Sequence, residues 1–367
     1  MHSAYKTYFD IHEDITYLST PGSGLIPNHI KHWRRERDNT FFETDTDLRE
    51  QQSEFIKQVK HTIGHFFGAA ANNVFCTSNF SIGFNTLLNG LPKDVRILLL
   101  ADDYPSVNFP VTSRGFDHTF VEVNENLEKN IIEAIGHYKP DVFILSIVQY
   151  ITGIKIDLSF IQGLKMQYPN LLVIGDGTQF LGTEPFNFDK SGFDAVGCSG
   201  YKWLMSGFGN GFIILNEKIK KFLYAEAQEQ TPSFEKMWEG KTILQLYFEP
   251  GHVDTLAQGT LQQSLLFLEE LGLEKVTTYT REITTLAKLE FEKRGLLSSS
   301  AIGRQEFSNI FNLRIDPAQF SILMANGIKC FPRGKGIRIG FHLYNDTYDL
   351  EKLLNVIDFQ LKKTHIL

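Results

Sequence analysis

Six short apolar runs bounded by turn residues dominate the first 215 positions: Asn73–Ser78, Arg96–Asp103, Asp141–Tyr150, Leu171–Asp176, Asp194–Ser199 and Gly211–Leu215. A strand with one face in water alternates apolar and polar residues. These runs mostly do not, so they read as strands buried on both faces, the mark of a parallel sheet. Such a sheet has to be covered by helices, and helical spacing at Asp47–Phe67, Ser81–Asn89, Glu125–His137 and Leu158–Gln167 supplies them between the strands. The fold class that follows is α/β. Beyond Leu215 the rhythm changes. Two long helical patterns, Leu261–Gly272 and Glu274–Arg294, precede shorter strands at Phe307–Ile315 and Ile337–Phe341 that alternate with helices, the pattern of a smaller α+β domain. The expected division is a large domain over 1–255 and a small C-terminal one over 256–367, with the N-terminal segment free to pack on the latter.

Composition narrows the partners. Hydrophobic residues make up 42% and charged residues 22%, which excludes a disordered or fibrous chain. A net charge of −7 with no long Lys/Arg run argues against nucleic acid and anionic membranes. No apolar stretch reaches membrane-spanning length and the start of the chain is too polar for a signal peptide, so the expected setting is cytoplasmic. Cys76, Cys198 and Cys330 are odd in number and widely spaced, giving neither a disulfide framework nor a metal knuckle.

The chemistry concentrates after two strands. Gly175-Asp176-Gly177-Thr178-Gln179 follows one, and Gly197-Cys198-Ser199-Gly200-Tyr201-Lys202-Trp203 follows the next. Ligands of open α/β sheets bind at the carboxyl ends of strands, so Asp176 and Lys202 are delivered toward one pocket. Taken singly, Asp176 reads as a turn cap and Lys202 as a solvated lysine; their pairing is the signal. The stretch Thr77–Asn85 leaves a strand and opens a helix, where backbone N–H groups with the Ser78 and Ser81 hydroxyls suit an anion, although such loops often only cap the helix. Other patterns fail. His61 and His65 lack the glutamate of a zinc-protease helix, so no metal is assigned; Gly207–Gly211 matches no nucleotide loop. Ser199-x-x-Lys202 fits an acyl-transfer serine but lacks its companion signatures.

A strand ending in Asp-x-x-Gln, followed just over twenty residues later by Ser-x-Tyr-Lys-Trp, resembles the class V aminotransferase family of pyridoxal-phosphate enzymes. The resemblance covers nearly the whole chain, taking in the Thr77–Asn85 loop, Asp103-Tyr104-Pro105-Ser106, Val148–Gly153, Gly259-Thr260 and Arg338–Asn345. It implies the fold type I architecture: a large domain with a mainly parallel seven-stranded sheet flanked by helices, plus a smaller C-terminal α+β domain. It implies pyridoxal phosphate as cofactor, with Lys202 forming the Schiff base and moving the Cα proton. Asp176 pairs with the pyridine nitrogen, Gln179 lies near the ring's phenolic oxygen, and Tyr104 stacks on the ring. The phosphate falls to Asn79, Phe80, Ser81, Ser199 and Tyr201, with Thr260 reaching in from a second subunit, hence a homodimer with shared sites. Arg338 grips the α-carboxylate of an amino-acid substrate.

Departures from the family bear on the reaction. Tyr201 replaces the histidine that cysteine desulfurases carry before the lysine, and Gly327–Arg338 lacks the loop presenting their catalytic cysteine. Cys330 lies nearby and would accept sulfur only if exposed and activated. The Ser-x-Tyr-Lys and Val-Gln-Tyr-Ile-Thr-Gly patterns resemble kynureninase and epimerase-like members. Transamination is the leading expectation because it needs only proton movement by Lys202. A lyase or epimerase stands behind it, and a non-catalytic cofactor-binding protein and an acyl-transfer enzyme using Ser199 are the remaining rivals. The aromatic segment Gln228–His252 is expected either to help line the entrance or to be a packed surface.

Overall fold

The computed structural model describes residues 3–230 and 238–361. Its central feature is a seven-stranded sheet built from β2 (Val74–Thr77), β3 (Arg96–Leu100), β4 (Asp117–Val121), β5 (Val142–Ser146), β6 (Leu172–Asp176), β7 (Ala195–Ser199) and β8 (Gly211–Leu215), in the order β2-β8-β7-β6-β5-β3-β4. All neighbours run parallel except β8, which is antiparallel to β2 and β7. Every residue of β2, β5, β6, β7 and β8 is buried, which is why their sequences carry no alternation. Two apolar layers sandwich the sheet. One centres on Val59, Ile63, Phe143, Val173 and Phe212, the other on Phe84, Leu87, Ile97, Ile144 and Ile213. The first layer is closed by α2 (Leu48–Phe67), the second by α3 (Phe80–Gly90).

Among the elements of this unit that the sequence does not reveal, one strand and one helix have a clear physical reason. The strand β4 occupies the sheet edge, where its residues are half in water and its polar Asp-His-Thr gives no buried run. The helix α4 (Pro105–Ser113) contains Pro105 and Pro110; the first sits at N1, where its missing N–H costs nothing, and only the second removes a helical bond.

The C-terminal part forms a separate three-stranded sheet of β9 (Ile310–Leu313), β11 (Phe331–Arg333) and β12 (Gly336–Gly340), all antiparallel, in the order β11-β12-β9. Its core includes Ile283, Phe291, Leu313, Ile337, Ile339 and Leu353. The N-terminal segment joins it: β1 (Thr16–Tyr17) pairs parallel with β10 (Ile328–Lys329), and Thr16 donates its hydroxyl to Asp349 at 2.9 Å. The helix Thr255–Leu271 sends Leu261, Leu265 and Leu268 into the core of the large sheet, while Ile283 and Phe291 of the helix Leu273–Lys293 belong to the small one. Of the aromatic segment Gln228–His252, residues 231–237 lie outside the described part, and Leu244 and Phe248 are buried against the second layer of the large sheet. Among the described residues, no helix is long and apolar enough to cross a membrane.

Candidate active site

The strands β6 and β7 are adjacent and in register, Asp176 facing Gly197, so the loops leaving their carboxyl ends arrive side by side. They open into a cavity of about 440 Å³ lined by both loops, the start of α3, Tyr104 and Tyr150. Lys202, Asp176, Gln179, Tyr104, Asn79, Phe80, Ser81, Ser199 and Tyr201 all line it. Nine of the residues read from sequence therefore meet in one place.

The loop carrying Lys202 is held from several sides. Ser199 Oγ accepts the Phe80 N–H at 2.9 Å, and the Ser199 N–H is donated to Thr178 Oγ1 at 3.1 Å, tying the strand end to its neighbours. The Gly24 N–H is donated to the Tyr201 carbonyl at 2.8 Å. A Cβ on Gly24 would lie 2.0 Å from the Lys202 carbonyl oxygen, so only glycine permits this approach of the N-terminal segment. Trp203 is fully buried, and its indole N–H donates to Gln179 Oε1 at 2.9 Å. Because an indole can only donate, this fixes the amide: Gln179 Nε2 donates to the Pro21 carbonyl at 2.9 Å and keeps a second N–H.

Lys202 is 6% exposed, and burial is the main cause lowering its pKa to about 8. Asp176 opposes that shift and Arg338 adds to it. The ammonium lies 5.5 Å from the Tyr104 ring centroid and 5.6 Å from that of Tyr201. Asp176 is pushed up to about 6, again chiefly by burial, while the Thr178 N–H, 2.8 Å from Oδ1, pulls the other way. An amine and a carboxyl are thus both moved toward neutrality in one pocket, the electrostatic mark of a functional site. The phenol of Tyr201 is raised to about 12 by burial and stays a neutral donor.

Tyr104 owes its placement to a residue the sequence reading did not single out. Asp103, buried and raised in pKa by that burial, accepts the Ser146 N–H at 2.8 Å and the Tyr104 N–H at 2.6 Å, bridging β5 to the start of α4. Tyr150 meets the Tyr104 ring edge-on with centroids 5.1 Å apart. The sequence signal for Asp103 was an Asp-Asp-Tyr-Pro run leaving a strand, a helix start with a spare carboxylate.

Arg338 stands just behind the cavity wall. Its Nη1 donates to the Tyr150 carbonyl at 2.7 Å, it is 5% exposed, and burial lowers its pKa to about 10. Thr260 does not line this chain's own cavity. It is fully buried within its own chain, donating to the Leu256 carbonyl at 2.7 Å and accepting from Arg34 Nη1 at 2.6 Å. The helix α1 (Ile30–Asn39) lies over it, with Trp33 2.2 Å from where a Cβ on Gly259 would be. Cys330 fails its condition: it is 3% exposed in the core of the small sheet, and burial raises its thiol to about 12. Among the described residues, no group of three or more His, Cys, Asp or Glu is placed to hold a metal ion.

A sequence model of the family described as Aminotransferase class-V matches residues 29–353. A probable cysteine desulfurase of Ureaplasma parvum serovar 3 is 22% identical over 395 residues, covering 95% of this chain and 94% of that protein. Among solved structures, the apo cysteine desulfurase of Thermococcus onnurineus NA1 superposes with a TM-score of 0.83 at 15% identity, covering 99% of each chain. The complex of the cystine C–S lyase C-DES with its reaction product cysteine persulfide gives 0.79 at 19% identity, covering 95% of this chain and 98% of the other.

Proposed function

The chain belongs to the class V aminotransferase family of pyridoxal-phosphate enzymes, and from that premise we propose that it holds the cofactor on Lys202 and acts on an α-amino acid by moving the Cα proton, with transamination as the reaction. The observation that carries this reading is the convergence of Lys202, Asp176 and Tyr104 on one cavity with Arg338 behind its wall.

The residues fit the cofactor. Burial works against the charged form of Asp176, and a protonated pyridine nitrogen beside it would favour that form. The Ser78, Ser81 and Ser199 hydroxyls and the start of the eleven-residue α3 offer donors to a phosphate. Tyr104 offers a ring face, and Gln179 keeps an N–H for an oxygen at the ring. When bound, the pyridoxal ring supplies a sink for the electrons left at the substrate's Cα. The protein's part is the proton: Lys202, with a pKa near neutrality and little solvent, can take a proton from Cα and return it nearby. Burial sets the proton affinity of that amine first, and Asp176 and Arg338 then bias it in opposite directions. Arg338, held by the Tyr150 carbonyl, has a second guanidinium edge for the α-carboxylate.

The relatives favour a second reading, cleavage of a Cβ–S bond. All three cysteines are buried and free, and burial raises each thiol, so a version that parks sulfur on a protein cysteine has no thiol to use. Cleavage would have to release sulfur on the substrate's own fragment. Reduced cysteines also suit the cytoplasmic setting read from the sequence. A homodimer belongs to this proposal through Ile82 and Phe208, 55% and 72% exposed at the cavity rim.

The test begins with cofactor-loaded wild type and Lys202→Ala treated with borohydride. A permanent adduct on Lys202 in wild type alone is expected, and an adduct elsewhere would overturn the assignment. Single-turnover incubation with amino acids then separates the reactions. Transamination yields the 2-oxo acid and one equivalent of cofactor amine with no free ammonia, whereas elimination across the Cβ–S bond yields pyruvate, one equivalent of ammonia and a sulfur product with the cofactor unchanged.

A further inference from the structure

The hairpin of β11 and β12 pairs Phe331 with Arg338 and Arg333 with Gly336. Residues two apart on a strand share a face, and paired residues share it too, so Arg333, Phe331 and Arg338 all stand on one face of the hairpin. Arg333 is exposed, with its guanidinium 4.7 Å from the centroid of Phe331. Its charge reaches inward: it depresses the proton affinity of both Lys202 and Arg338 and acts on Tyr150 in the cavity wall. Gly334, next to it, comes within 2.9 Å of the Ile151 side chain measured from an added Cβ, which places the hairpin tip against the segment carrying Tyr150. Among the described residues, neither arginine has a carboxylate within ion-pair distance, while most other arginines and lysines near the cavity's two sheets do. Two guanidinium groups without a carboxylate partner on one hairpin face, one buried and one exposed, make a place for two negative charges rather than one.

Resting on the amino-acid reading above, we infer that Arg333 is a specificity residue that receives a second carboxylate of the substrate, so the enzyme acts on amino acids with two carboxylates. Arg338 takes the α-carboxylate and Arg333 the distal one. Such a substrate is either an amino acid with an acidic side chain or a disulfide-linked one whose far half supplies the second carboxylate, and the chemistry Arg333 recognises is the same.

The experiment uses cofactor-loaded wild type, Arg333→Gln and Arg333→Lys. Steady-state rates compare aspartate with asparagine, glutamate with glutamine, and cystine with S-methylcysteine. Calorimetric titration compares succinate, which cannot react, with propionate. In wild type, at least one acid is expected to exceed its neutral counterpart in kcat/KM by about tenfold, the scale of one charge-assisted hydrogen bond discounted for exposure. The Arg333→Gln change should raise KM for that acid about tenfold with kcat far less affected, and weaken succinate but not propionate. Arg333→Lys should restore part of the loss. Whether the favoured substrate is aspartate, glutamate or cystine identifies the source of the second carboxylate. Equal use of acids and their neutral counterparts, or succinate binding indifferent to Arg333, would overturn the inference. Succinate bound through Arg333 with no reaction of any amino acid would instead overturn the proposed function and leave the anion site standing.

Discussion

Replacing Asp176 by Asn should stabilise the cofactor-free protein while removing its chemistry. The folded carboxyl titrates at about 6 against 3.8 for the free group, and at about 1.4 kcal/mol per unit this sets a penalty of about 3 kcal/mol on the charged form. The sign follows from linkage. A carboxyl whose folded pKa is raised gives stability that is fully present below the unfolded value and lost as pH rises through the folded one. At pH 8 the whole penalty acts on wild type and none of it on the amide. Asn keeps an oxygen for the Thr178 N–H but turns an unpartnered NH₂ into the cavity, which costs about 1 kcal/mol; the attraction to Lys202 is already contained in the shifted pKa. The net expectation is a gain of about 2 kcal/mol at pH 8, falling to less than about 1 kcal/mol at pH 5, where the wild-type carboxyl is mostly protonated in the fold. Urea unfolding of cofactor-stripped wild type and variant across this range measures it. A variant less stable than wild type at pH 8, or a difference flat from pH 5 to 8, would refute the view that Asp176 is held against its own solvation for the sake of a cationic partner.

The Lys202 amine of the stripped protein should be modified by acylating reagents with an inflection near pH 8; Asp176→Asn should move that inflection down and Arg338→Gln up, since these groups raise and lower it respectively, and mass-resolved labelling across pH reads both. Native protein should give almost no reaction with a thiol reagent and three thiols after denaturation, with Cys330→Ala changing no sulfur release from any substrate, because all three cysteines are buried. Gly24→Ala should lose cofactor retention and several kcal/mol of stability, as its Cβ would collide with the Lys202 carbonyl; equilibrium dialysis and denaturation check it, and wild-type retention would show the contact to be soft.

The five fully buried strands of the large sheet were legible because a strand hidden on both faces has no freedom to be polar. β4 escaped because an edge strand has that freedom, and α4 because two prolines imitate a loop. Asp176 and Lys202 were legible for a related reason: one ends a strand and the other lies three residues past its neighbour, and the register of those two strands is fixed by the core. The cover over Thr260 was not legible, because α1 is mostly charged and polar and nothing local in Gly259-Thr260 reveals the helix that lies on top. Asp103 and Arg333 act through what they face rather than through a motif. Only the three-dimensional hairpin puts Arg333 beside Arg338, although their spacing around a Gly-Lys-Gly turn was in view.

The pairing of β1 with β10 has a consequence for synthesis. Thr20 is hydrogen-bonded to Tyr344, 324 residues away, and the stretch between them in space supplies the Pro21 carbonyl to Gln179 and the Gly24 N–H to the lysine loop. Thr20 therefore finds this partner only after the 324 residues that separate it from Tyr344 have been made. A nascent chain can close its large sheet once residue 215 has emerged, yet the pocket around Lys202 stays open on one side until the segment near Tyr344 is made. A chain truncated before its last small-sheet strand is therefore expected to keep the large sheet while losing the anchor of the segment that braces the lysine loop.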